Sequence, residues 1–199
     1  LLVVRQHLTS AILAEHGPDA VTMAALAQRM DASVGGLYRY YPSKAAIFVA
    51  LQLKALERLD ATLKEALALE ISNNGHSWAV VTTVFDAWST FEKRHPTLAK
   101  MLNQFAWRTE AVLPAEEQET VAARVTEIIL RITDILKELT EKKVMKPGDP
   151  ALRAYCLWGT VAGFGQLRQR RANGMSEMPI DKIRLAYLED LKSSWRMPP

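Results

Sequence analysis

Cysteine is nearly absent from this chain, with Cys156 alone among 199 residues. A disulfide framework and a zinc site built on several thiolates are therefore excluded within one chain. A reducing cytoplasm is the expected setting. In its run "AYCLWGTVAGFG", Cys156 reads as a small buried hydrophobe. Long hydrophobic runs are missing too: no uninterrupted apolar stretch approaches the roughly 18 to 20 residues of a membrane span, so no membrane partner is expected. No secretory leader is visible, and the chain opens on Leu1 rather than Met. Charge of one sign is scarce, with 25 Lys and Arg against 22 Asp and Glu. A net charge of +3 does not by itself diagnose a polyanion partner. Constellations for catalysis are lacking as well. The four histidines (His7, His16, His76, His95) share no spacing that pairs two on one helix face. No Ser/His/Asp arrangement or phosphate-cradling loop appears. Neither an enzyme, a cofactor nor a metal site is expected.

What is present is helical periodicity. "LLVVRQHLTSAILAEHG" spaces Leu1, Val4, Leu8 and Ile12 on one face and stops at Gly17. Thr22 is placed to cap "MAALAQRM", Ser33 a second short helix through about Tyr40, and Ser43 a long helix to about Leu69. Past "SNNG" at 72–75 the expected helices lengthen: 77–93, 97–108, 114–143, 150–171 and 180–195. The third of these, 114–143, has acids at its start (Glu116, Glu117, Glu119) and Lys142 and Lys143 at its end, matching the helix dipole. No alternating strand pattern or repeat is found. The chain reads as all-α, in two parts: 1–48 and 49–199.

Two short helices joined by "DAS", with longer helices before and after, have the dimensions of a helix-turn-helix. Ile12, Leu26, Met30, Val34, Leu37 and Ile47 are positioned for its small three-helix core. Tyr41 is expected to be structural. From Ala14 to Phe48, "AEHGPDAVTMAALAQRMDASVGGLYRYYPSKAAIF" resembles the DNA-binding region of the TetR family of bacterial transcriptional regulators. The resemblance rests on Gly17, Thr22, the "MAALAQRMDASVGGLY" frame and the "LYRYYPSK" ending. It implies an N-terminal three-helix DNA-binding domain joined by a shared long helix to a C-terminal ligand-binding and dimerisation bundle.

Glycine inside a helix costs roughly 1 kcal/mol relative to alanine, so Gly35 and Gly36 at the start of the second short helix raise a question. Without side chains there, the backbone can approach bases or phosphates closely. The resemblance places Tyr38, Tyr40, Thr22 and Lys44 at phosphates, contacts that set register and affinity rather than sequence. Family members often carry Lys, Arg, Thr or Ser where this chain has Val34, Gly35 and Gly36. Direct readout falls instead to Val34 on a thymine methyl, to Ser33, and to Arg39 or Tyr38 where they reach a base. Residues 1–50 hold four Lys/Arg against three Asp/Glu, and a basic arm preceding Leu1 would supply the charge a DNA reader needs.

The remaining residues exceed what a DNA reader requires. Trp78, Val81, Phe85, Trp88 and Glu92 fall on one helix face, followed by Met101 and Phe105 on the next helix. Val121, Val125, Ile128, Ile132, Ile135 and Leu139 line the long helix. The resemblance implies that such a bundle interior holds a small apolar effector. Its candidate lining is Trp78, Val81, Phe85, Trp88, Glu92, Met101, Phe105, Ile128, Ile132 and Trp158. Small residues four apart, Gly159 and Gly163 with Ala162, allow close helix approach. Together with Leu167, Ile183, Tyr187 and Leu191, they are the candidate homodimer interface. A dimer presents two recognition helices to a pseudo-palindromic double-stranded operator. The expected function is a repressor released by the effector; the alternative is a DNA-binding scaffold answering to a protein partner.

Overall fold

The computed structural model describes residues 22–29, 31–105, 113–172, 174, 177 and 179–198. The expected helix over 1–17, with Ile12, lies outside that set, as does Met30. Eight helices run through the described residues: α1 Met23–Arg29, α2 Val34–Tyr38, α3 Lys44–Asn74, α4 Ala79–Arg94, α5 Pro96–Phe105, α6 Ala115–Glu141, α7 Pro150–Ala172 and α8 Ile180–Trp195. The fold is all-α, and extended pairing among the described residues is confined to an isolated bridge between Met145 and Arg196.

Local chemistry sets the helix limits. Thr22, Ser33 and Ser43 each accept a 3.0 Å bond from the backbone N–H three residues on, at Ala25, Gly36 and Ala46. Those donors have no partner inside the helix, which is why hydroxyl residues recur at these positions. After α1 the chain turns through Asp31 at φ +47°. Asp31 N–H donates to the Gln28 carbonyl and Ala32 N–H to the Ala27 carbonyl, closing a Schellman turn in which a short polar side chain tolerates the left-handed region. Lys143 ends α6 in the same way, with φ +59° and Val144 N–H bonded back to Leu139. The long α3 continues past Leu69 to Asn74 because no breaker intervenes before Gly75, whose φ of +63° stops it.

The described chain divides into two compact units. The first takes the described residues of Leu1–Arg58 and Glu92–Arg124. In it α1 packs against α2, and Leu26, Ala27, Leu37, Ile47, Phe48 and Leu51 are all buried. Val34, expected in this core, is instead 39% exposed. It is the first residue after the Ser33 cap, at the very start of a helix only five residues long. Tyr41 is half-buried. Gln52 is buried without a hydrogen-bond partner for its amide nitrogen among the described residues, a polar core position that periodicity does not reveal.

The second unit takes Leu59–Phe91 and Val125–Pro199. Here α4 buries Val80, Val81, Val84, Phe85, Ala87, Trp88 and Phe91, each large apolar side chain contributing about 1.5 to 3 kcal/mol. On α6 the buried stripe is Ile128, Ile129, Ile132, Leu136 and Leu139, while Val125 and Ile135 are half-buried. A charge is buried too: Asp60, 1% exposed, accepts from Arg131 Nε at 2.8 Å and lies 2.9 Å from Lys64 Nζ. It ties α3 to α6. The C-terminus is clamped by Lys146 N–H donating to the Trp195 carbonyl and by the Arg153 guanidinium, 5.1 Å over the Trp195 ring. Burial lowers the Arg153 pKa. Cys156, expected to be buried, is exposed. The inward face of α7 carries Ala154, Leu157, Val161 and Phe164, and Cys156 falls on the opposite side with Leu152, Tyr155 and Gly159.

Candidate nucleic-acid interface and ligand cavity

The α1–α2 pair positions the candidate DNA-contacting residues in the first unit. Leu37, fully buried, anchors α2 from its inner side. Around it Val34, Gly35, Tyr38 and Arg39 are all exposed. Tyr38 and Tyr40 are 50% and 55% exposed, values that set them apart from core aromatics. Ser33 caps α2 through its hydroxyl, so that oxygen is committed to the Gly36 N–H. A side chain at Gly35 would meet nothing within 4 Å, whereas one at Gly36 would lie 3.0 Å from the Ser33 hydroxyl. The fold therefore has no need of a glycine at 35. Lys44 is half-buried, its ammonium 5.4 Å above the Phe48 ring, and Thr22 is exposed at the start of α1. The structure brings Ser33 through Arg39 together on one short helix and its cap.

The candidate ligand residues divide. Trp88, Ile128, Ile132 and Trp158 line one apolar void in the second unit with Leu59, Leu63, Val84, Ala87 and Val161. Its volume of about 20 Å³ is enough for a water-sized group and far below the roughly 300 Å³ of a drug-sized ligand site. Trp78 and Val81 are buried in the same unit but do not line it. Phe85 forms a three-ring edge-to-face cluster with Phe164 and Tyr187, centroids 5.9 to 6.4 Å apart. Glu92 and Met101 belong to the first unit, and the Phe105 side chain lies outside the described residues. Sequence reading missed Leu59 and Leu63, which sit on the helix assigned to joining the two parts. It missed Trp88 Nε1 as well: that donor is buried and finds no acceptor among the described residues.

The candidate interface residues also divide. Gly159 is exposed and Gly163 half-buried, and a side chain at either would meet nothing within 4 Å. Ala162, Leu167 and Ile183 are half-buried. Leu191 is buried inside the unit, and Tyr187 turns its hydroxyl to within 3.0 Å of Thr160 Oγ1. Leu152, Tyr155 and Leu185, more than half exposed, were not anticipated. They escape an amphipathic reading because they stand outside the stripes that pack α7 on α8.

A short-turn pair of helices with an outward α2, followed by long helices with an apolar interior, defines a helix-turn-helix protein with an appended helical domain. Residues 8–51 match the model of "Bacterial regulatory proteins, tetR family". The nucleoid occlusion factor SlmA of Pasteurella multocida is 31% identical over 99 residues, covering 50% of this chain and 48% of that protein. The HTH-type transcriptional repressor KstR of Mycolicibacterium smegmatis is 48% identical over 61 residues, 30% of each chain. The matched stretch thus spans half or less of these two curated relatives. Among solved structures, the TetR-family regulator PfmR of Thermus thermophilus aligns over 94% of this chain and 95% of its own at 21% identity, with a TM-score of 0.70. The fold is shared. KstR and PfmR are transcriptional regulators rather than enzymes. No described helix is long and apolar enough to cross a membrane.

Proposed function

We propose that this chain is a dimeric, DNA-binding transcriptional repressor that leaves a pseudo-palindromic operator when a small apolar effector enters its second unit. The observation that carries the DNA half is the exposure of Val34, Gly35, Tyr38 and Arg39 within the segment that matches the TetR model. Residues 1–48 would read DNA, and 49–199 would hold the effector and the partner subunit. Val34 meets a thymine methyl, the backbone at Gly35 approaches the groove, and Tyr38, Tyr40, Thr22 and Lys44 engage phosphates. Repression is supported by the likeness to KstR. The effector reading is supported by the void at Trp88, and α3, which carries both Lys44 and the void residues Leu59 and Leu63, is the route of coupling. Dimerisation is supported by Gly159 and the exposed Leu152, Tyr155 and Leu185.

A second reading, a DNA-binding scaffold answering to a protein partner, is favoured by the smallness of the void. Fluorescence anisotropy on fragments flanking the chain's own gene, across a salt series with excess random DNA, tests the proposal. Binding confined to one fragment that survives the competitor supports a sequence-specific regulator. Binding that vanishes under competitor, with only a steep salt slope, reduces α2 to a backbone contact.

A further inference from the structure

We infer that the effector is an uncharged, compact apolar molecule carrying a hydrogen-bond acceptor such as a ketone or ester carbonyl, and that Trp88 Nε1–H is the donor that recognises it. The inference rests on the effector reading above. Trp88 is 6% exposed and its indole nitrogen is buried with no acceptor among the described residues. Buried donors are nearly always satisfied, so an orphan indole N–H in a residue that lines a cavity asks what is meant to meet it. A water answers poorly: an ordered buried water needs two to four polar partners, and the other lining side chains are Leu, Val, Ala, Ile and one further Trp. A charged ligand answers worse, because none of the lining side chains carries charge to offset its desolvation. A carbonyl on an apolar body satisfies both conditions with one bond. The void of about 20 Å³ is smaller than any such molecule, so binding displaces lining side chains on α3, α4, α6 and α7. The ligand therefore favours a rearranged state over the one described here.

The test uses the full chain with ¹⁵N-labelled tryptophan and a matched probe pair: 4-tert-butylcyclohexanone and its exocyclic-methylene analogue, which has the same shape without the acceptor. The ketone must shed water that the hydrocarbon never held, so a preference for it requires the bond. The expected result is at least tenfold tighter binding of the ketone and a downfield shift of the Trp88 indole proton. In Trp88→Phe the preference disappears while both probes still bind. Equal binding of the two probes to the unaltered protein, with no downfield shift, overturns the donor role and leaves the cavity reading standing. If neither probe perturbs Trp88 up to its solubility, the proposal and the effector reading of this void fall together. The unaltered chain decides all three outcomes even where Trp88→Phe folds poorly.

Discussion

Gly35 separates what the fold requires from what DNA requires. Its missing side chain would meet open space, so Gly35→Ala is expected to raise stability by up to about 1 kcal/mol through helix propensity. If the backbone there approaches the groove, the same change lowers operator affinity at least tenfold. A thermal melt and an anisotropy titration on one sample read both signs; higher stability with unchanged affinity would remove Gly35 from the interface. Gly36 behaves differently, because its side chain would press at 3.0 Å on the hydroxyl that caps α2. Ser33→Ala removes that cap and is expected to destabilise by about 1 kcal/mol, seen as a lower urea midpoint. The three capping hydroxyls were legible in the sequence because capping depends on residues three apart. The exposure of Val34 and Cys156 was not, because which side of a helix faces inward depends on partners that one helix's own pattern does not name.

Between α3 and α6, the buried carboxylate of Asp60 links elements that sequence assigns to different tasks. Removing one partner of a buried pair costs about 3 to 5 kcal/mol when both charges are buried. Arg131 is one-third exposed and Lys64 half exposed, so solvent recovers part of that loss. Asp60→Ala is therefore expected to cost about 2 kcal/mol, and the double variant Asp60→Leu with Arg131→Met to restore most of it. Chemical denaturation with a double-mutant cycle measures the coupling. Additive losses would show that the pair holds nothing together. The helices themselves were readable from periodicity and breakers, with α3 outrunning its expected end because only Gly75 stops it. The Asp60–Arg131 contact was not readable: its residues are 71 apart, and no local pattern pairs them.

For the whole molecule, Gly159 repeats the logic of Gly35 on a larger surface. A side chain there meets nothing of its own chain, and Leu152, Tyr155 and Leu185 leave apolar area uncovered nearby on α7 and α8. Helix propensity predicts that Gly159→Arg folds at least as well as the parent, since arginine is a good helix former. If the exposed glycine marks where a second subunit's helix comes close, the bulky charge prevents that approach. Sedimentation velocity is then expected to find a folded monomer in place of a dimer. Operator affinity should fall with it, because a two-fold dimer alone sets two recognition helices about 34 to 36 Å apart, one turn of DNA. The two readouts must move together. A variant that stays dimeric moves the interface off α7, and one that becomes monomeric yet binds its operator unchanged removes the need for two-fold recognition.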